Sequence, residues 1–408
     1  YGYGSRKVGA TGELDPLYAR AVVLEAGDKR FALVVLDLGR VFASNWIAQL
    51  RANVKQSSGI DYVLVAATHT HSGPDPTDQF PPASGPDWET PILQKVTNAI
   101  DQAHRQAVDT RLGTGYGHAY IGHNRLRDNP DGTASWFERN PTMIPTAPVD
   151  PTVAVLRLDN QQGEPIAILV NYACHPVIFG PDHLRYSADW PGVMVKSVKQ
   201  AFAGKAVVMF LQGGDGDINP YYAVTPLEQD AEGRRDWTGE RLGAEASRVA
   251  KQIITRDNAD SDLQYVEDNL PAKLRWNPAK FRQALLESWG PEAATEFDRQ
   301  KDPMTLPTTT LLIDKRIALM TMPGEPFVDF QMDWRNRCPV PDAFFMGYSN
   351  GDFDYFPSIR AATYGGYGAA NTATRVQLGT ANRMVDNAVI RVYEFLGRLT
   401  DAPEDLKK

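Results

Sequence analysis

A pattern that recurs five times constrains this chain more than any other feature. A short apolar, largely β-branched run is followed at once by a polar loop rich in glycine or histidine, and then usually by a helical stretch. Phe31-Ala-Leu-Val-Val-Leu36 leads into Asp37, and Tyr62-Val-Leu-Val-Ala-Ala67 into Thr68-His-Thr-His-Ser-Gly-Pro74. Ile166-Ala-Ile-Leu-Val170 leads into Asn171-Tyr-Ala-Cys-His-Pro176, and Val207-Val-Met-Phe-Leu211 into Gln212-Gly-Gly-Asp-Gly-Asp-Ile-Asn-Pro220. Ile317-Ala-Leu-Met-Thr-Met322 leads into Pro323-Gly-Glu-Pro326. Runs without polar alternation read as strands buried on both faces. Helices are expected at 46–54, 91–106, 231–255, 326–337 and 374–399, with Pro326 in a first helical turn, where its missing N–H costs nothing.

Interleaved strands and helices give an α/β class with a mixed, mostly parallel sheet flanked by helices. The chain reads as a single large domain over 1–408, with 257–300 as an excursion within it. No internal repeat is visible in the sequence. Ligands of open α/β sheets bind beyond the carboxyl ends of strands, so the polar loops are expected to gather into a site there. The Pro-rich stretches 73–91 and 128–151 are expected to be long loops walling that site.

Net charge of −8 and a pI near 5.5 argue against a nucleic-acid partner, since phosphate binding needs a basic face. No apolar run approaches the roughly 18 residues of a transmembrane segment. Cys174 and Cys338 form no CxxC pair and are expected to be free thiols. The sequence starts at Tyr1 without an initiator Met, so an upstream segment such as a signal peptide is one expectation.

His69 and His71 flank one residue, so in an extended segment both point the same way and offer two imidazoles to one site. His175 closes a second strand. Zinc takes imidazole nitrogen, a carboxylate often completing a catalytic set; Glu325, at a third strand end, is the candidate, although a Glu at a helix start also serves the helix dipole. The loop 213–220 lacks P-loop spacing and its Lys-Ser/Thr, and Asp215 and Asp217 would repel phosphate. It is expected instead to bring backbone N–H groups close to a substrate oxygen. His104 is expected on a helix surface.

Taken in order, these motifs resemble the catalytic domain of the neutral (non-lysosomal) ceramidase family. The resemblance is carried by Gly2-Tyr-Gly-Ser-Arg6, Asp15-Pro-Leu-Tyr-Ala-Arg-Ala21, the His69 loop, Asn124-Arg125, the His175 loop, Ser187-Ala-Asp189, Gly216-Asp-Ile-Asn-Pro220, Pro323-Gly-Glu325 and a closing Tyr/Gly-rich stretch. It implies a hydrolase with Zn²⁺ held by His69, His175, Glu325 and Tyr355. Tyr348 and Tyr364 lie close to Tyr355 in sequence, and either His69 or His71 can be the direct ligand. The other His then lies behind the metal or faces substrate, where His71 would serve proton transfer; Asn219 and Asp217 join it as candidate catalytic residues.

Two departures from the family shape the expectation. Asn219 stands where ceramidases place a Ser, and an amide can donate to an oxyanion but cannot act as a nucleophile or hydroxyl relay. Ceramidases also carry a C-terminal β-sandwich domain, whereas this sequence closes on a helix and a charged tail. Trp88, Trp136 and Phe137 lie in polar loops suited to stacking on a ring. The expected reaction is hydrolysis of an amide in a small-molecule or glycan-type substrate more polar than ceramide. Ester, lactone or glycoside cleavage by the same site is an alternative, with Asp215/Asp217 or Asp352/Asp354 as a glycosidase's carboxylates; a catalytically degenerate carbohydrate- or lipid-binding protein is another. The family's habit makes the secreted or periplasmic space the expected location.

Overall fold

The computed structural model describes residues 1–82, 87–257, 261–300 and 303–400; the charged tail and parts of the 73–91 and 257–300 stretches lie outside them. Three units follow one another. The first contains β1 (Ala19–Ala26), β2 (Lys29–Leu36), α1 (Ser44–Ser58), β3 (Tyr62–Ala67) and α2 (Glu89–Arg105). The second contains β4 (Thr110–His118), β5 (Thr152–Asn160), β6 (Pro165–Tyr172), α3 (Asp189–Ala201), β7 (Val207–Gln212) and α4 (Ala231–Gln252). The third contains β8 (Leu263–Ala272), α5 (Pro278–Trp289), α6 (Pro291–Arg299), β9 (Met304–Ile313), β10 (Ile317–Thr321), α7 (Val328–Arg337), β11 (Asp342–Met346), α8 (Ile359–Tyr364) and α9 (Thr380–Phe395).

A structural repeat therefore exists where the sequence shows none. Each unit runs antiparallel hairpin, helix, parallel strand, helix: β1–β2–α1–β3–α2, then β5–β6–α3–β7–α4, then β9–β10–α7–β11–α9. The repeat is one of backbone and burial pattern, which many sequences satisfy. The expected single sheet resolves into three larger sheets. Within these three sheets the parallel pairs are β2–β3, β6–β7 and β10–β11, and the outer strands join antiparallel. The sheets are thus mixed rather than mostly parallel, because each unit opens on a hairpin whose short turn forces antiparallel pairing. The 257–300 excursion supplies an edge strand, β8, which pairs with β9 along its whole length, together with α5 and α6.

Burial explains the unbroken apolar runs. Phe31, Leu33 and Val35 of β2, Leu169 of β6, Leu211 of β7, Leu319 of β10 and Phe344 of β11 share one central core between the three sheets. Their alternates face outward beneath helices: Val34 and Val65 under α1 and α2, Ile168 and Phe210 under α3 and α4, Met320 and Phe345 under α7 and α9. With both faces apolar, strand periodicity disappears from the sequence while strand identity remains. Both cysteines are free thiols, and among the described residues no helix is long and apolar enough to cross a membrane.

Two side chains lock the units together where the parallel strands end. Asn171 donates from Nδ2 to Leu211 O (2.9 Å) and Phe345 O (2.8 Å) and accepts from Arg335 Nη2 (3.2 Å). Gln212 donates from Nε2 to Thr68 O (3.2 Å) and Cys174 O (3.0 Å). Replacing Asn171 by Ala strands two buried carbonyls and is expected to cost roughly 2–4 kcal/mol of unfolding free energy, read by denaturant titration.

Candidate metal centre

The carboxyl ends of β3, β6 and β10, one from each unit, deliver His69, His175 and Glu325 to one place. His69 Nδ1 bonds Gly39 O at 2.7 Å and His175 Nδ1 bonds Asp215 O at 2.6 Å. A backbone carbonyl only accepts, so each Nδ1 carries the proton and each Nε2 keeps its lone pair. Both Nε2 atoms face Glu325 Oε2, at 3.5 Å for His69 and 3.2 Å for His175. His71 Nε2 lies 3.1 Å from His69 Nε2.

Electron-pair donors at these separations repel unless a cation lies among them. Two ligands about 2.05 Å from a tetrahedral zinc stand about 3.3 Å apart, so the donor set fits such an ion. His69, His71 and His175 also form a cluster of three imidazoles whose nitrogens lie within 4.8 Å of one another and could hold a metal. Without a metal the cluster draws in a proton: burial pushes the His69 imidazole down, but the Glu325 charge overrides it and raises it. Burial pushes Glu325 up, and the charge of His69 with bonds from both histidines holds it well below the usual carboxylate range. His71 is pushed well down by burial and then by His69 and His175.

His69 reaches this position by strain rather than by extended alternation. Its φ is 68°, a left-handed conformation that costs a residue with a Cβ on the order of 1–2 kcal/mol. The bond from its N–H to Leu38 O (2.9 Å) and the ring's bond to Gly39 O hold it there. Glu325 is placed by a two-residue parallel ladder, Glu325–Pro326 with Tyr355–Phe356, in which Glu325 stands opposite Tyr355. Pro326 is consequently in that ladder and not in a helix; α7 begins at Val328, after the chain has turned.

Tyr355 accepts from Arg125 Nη2 at 3.0 Å. Burial dominates the rise of its phenol well above the ordinary value, Arg125 opposing and Glu325 adding to it. Arg125 itself is buried, bonded to Gly216 O (2.7 Å) and Asn219 Oδ1 (3.1 Å), and its guanidinium lies over Trp136 and Tyr367. Asn219 uses its other polar atom as well, donating from Nδ2 to Glu138 O at 3.0 Å.

Asp217 points away from the cluster. Its Oδ1 accepts from Val328 N (2.8 Å) at the start of α7 and its Oδ2 from Asn124 Nδ2 (2.6 Å), while burial raises its pKa to about 7. Asp215 Oδ1 accepts from Tyr348, and Asp354 is paired with Arg375. The glycine-rich loop spends its amides inside the protein: Gly213 N on Tyr172 O, Gly214 N on Gln331 Oε1 and Gly216 N on Pro326 O. Its glycines serve close packing, since a Cβ at Gly216 would stand 2.5 Å from Glu325 O.

Of the expected ring-stacking aromatics, Trp88 packs on Phe42 and Phe137 on His123, and Trp136 is left 46 % exposed beside Tyr367, 37 % exposed. His104 pairs with Glu25 at 2.5 Å. Sequence reasoning gave no role to Arg125 or Tyr367, nor to Tyr1 and Tyr3, whose rings close edge-on against His71, and it named Asp215 only as a possible glycosidase carboxylate and Tyr348 only as an alternative to Tyr355. Arg125 and Tyr3 stood in shared motifs, but nothing local in the sequence marked where their side chains would lie. A groove of about 2740 Å³ runs along β1 and α3, away from the histidines.

Residues 1–233 match the family described as neutral/alkaline non-lysosomal ceramidase, N-terminal. That match covers more than half of the chain, which belongs to this family. Neutral ceramidase of Pseudomonas aeruginosa is 25% identical over 318 residues, 72% of this chain and 46% of that protein. The chain thus spans about half the length of the relative it matches. The crystal structure of neutral ceramidase from Pseudomonas aeruginosa superposes with a TM-score of 0.72 at 19% identity, covering 99% of this chain and 73% of that one. A ceramidase solved in complex with C2 gives 0.73 at 18%, covering 99% and 74%. At these identities the structures establish a shared α/β fold.

Two expectations follow from the local geometry. Asn219→Ser cannot span both Arg125 and Glu138 O, so it should cost about 1–3 kcal/mol in denaturant unfolding. His123, beside the Asn219 strand, is pushed down to about 4 by burial. A depressed histidine contributes stability that is complete above its ordinary value near 6.5 and is lost as pH falls toward 4. The decline of unfolding free energy across that window should be shallower in His123→Gln.

Proposed function

We propose that the chain is a zinc-dependent hydrolase that cleaves an amide bond in a substrate more polar than ceramide. The observation that carries this reading is the convergence of His69 Nε2, His175 Nε2 and Glu325 Oε2 at 3.2–3.5 Å with both Nδ1 atoms committed to carbonyls. His69, His175 and Glu325 would hold the ion, with Tyr355 completing the set. Zinc supplies a Lewis acid that polarises a carbonyl and activates water near neutral pH.

The chain's own groups have distinct parts to play. Arg125, fixed by Gly216 O, Asn219 and Tyr355, presents a buried positive charge where negative charge would develop on the carbonyl oxygen. Asn219 acts through Arg125, and Asp217 through the start of α7. His71 has an Nδ1 without a partner among the described residues and an imidazole held neutral by its surroundings, so it would take up the proton released by the attacking water and then pass it to the departing amine. Tyr1 and Tyr3 pack edge-on against His71 and would hold its ring in place.

The polar-substrate reading is supported by Trp136 and Tyr367, exposed beside Arg125. An ester or lactone would meet the same groups. The glycosidase variant loses Asp217, whose carboxylate is engaged on both oxygens. The secreted or periplasmic location remains part of the proposal.

The test is metal analysis with a panel of short N-acyl amides, esters and aryl glycosides, with and without chelator. About one zinc per chain and chelator-sensitive amide hydrolysis are expected, and His175→Ala should lose both. A zinc-free active protein overturns the metal; turnover of esters or glycosides alone overturns the bond assignment.

A further inference from the structure

Asp215 has no part in the set described above, yet its position is costly. The residue is 0 % exposed, and no Lys or Arg pairs with it among the described residues. A buried carboxylate without a counter-charge is expensive. Its Oδ1 accepts from the Tyr348 hydroxyl at 2.6 Å. Its Oδ2 has no hydrogen-bond partner and lies 3.4 Å from His175 Nδ1, whose proton the backbone carbonyl of the same residue takes at 2.6 Å. The Tyr348 ring lies nearly parallel to His69, 4.0 Å between centroids and 22° between planes. One carboxylate thus stands behind both imidazoles, directly for His175 and through Tyr348 for His69.

We propose that Asp215, with Tyr348, is a positioning pair for the metal centre, adding a buried negative charge that favours a dication among His69, His175 and Glu325. The inference rests on the zinc reading above. Asp215 and its carbonyl hold His175 with its Nδ1 proton turned outward, leaving the Nε2 lone pair facing inward, and Tyr348 backs the strained His69 ring. Partners behind metal-binding histidines orient the rings and raise their basicity, and their loss typically weakens metal binding by about 10–100-fold. Tyr348 is itself held at a φ of 50°, so the pair is set by the backbone of two units, at the ends of β7 and β11.

The test is zinc affinity by competition with a chromophoric chelator, alongside the melting temperature with and without zinc. Asp215→Asn keeps an acceptor for Tyr348 and removes only the charge. It should weaken zinc binding about 10–100-fold, leaving the zinc-free melting temperature unchanged or higher. Binding within twofold of the parent overturns the proposal, as does an equal fall in both melting temperatures, which marks a purely structural residue. If Asp215→Asn does not fold, Tyr348→Phe carries the same measurement, with weaker zinc binding expected and unchanged binding overturning the pair. A parent chain that takes up no zinc overturns the proposed function and this inference with it; a zinc-binding parent with an unaffected variant overturns this inference alone.

Discussion

Two hydrogen bonds set the character of the centre: His69 Nδ1 to Gly39 O and His175 Nδ1 to Asp215 O. Each acceptor lies in the loop after a strand parallel to the one that carries the histidine, β2 beside β3 and β7 beside β6. Parallel pairing brings two strand ends to the same level, so the neighbouring loop can cradle the ring from behind. With the tautomer fixed, the remaining lone pairs have only one direction to face, toward Glu325. That carboxylate, arriving from the third unit, completes a donor set that could hold a cation.

The threefold arrangement of units makes this possible without a long active-site loop. Each unit contributes a parallel pair whose inner face joins one apolar core, so the three pairs end together. Asn171 and Gln212 stitch these ends through backbone carbonyls. The left-handed φ of His69 is tolerable because the structure around it fixes both its N–H and its ring. Strain of this kind persists where surrounding bonds over-determine the conformation.

The five apolar runs were legible because burial on both faces leaves only hydrophobic residues to choose from. His69, His175 and Glu325 were legible because each ends such a run. The outer strands were not: β4 alternates glycine at 113, 115 and 117, where α4 and the residues after it press against the backbone and a Cβ would meet Ile253, Val249 or Glu245. That pattern resembles a loop until the helix is in place. Pro326 read as a helix start because the two-residue ladder with Tyr355–Phe356 is a long-range pairing with no local signature. The places of Arg125 and Asp215 escaped for a related reason. A charged residue declares itself buried only through partners distant in sequence, Tyr355 and Tyr348 respectively.

Asn219 shows how one such partner changes the meaning of a loop. Read alone, an amide in place of a hydroxyl removes a proton relay. In the fold its two polar atoms span Arg125 and Glu138 O, one bond from each, which fixes the orientation of the amide. The same guanidinium also binds Gly216 O and the Tyr355 hydroxyl and lies over Trp136, so it is held along two edges and a face. A cation so fixed needs no reorganisation when charge develops beside it, and preorganised charge contributes most in a site shielded from water. On this reasoning the loop's contribution passes from a hydroxyl that would move a proton to an amide that immobilises a positive charge. Under the proposed function, proton transfer would then fall to His71, against which Tyr1 and Tyr3 pack edge-on.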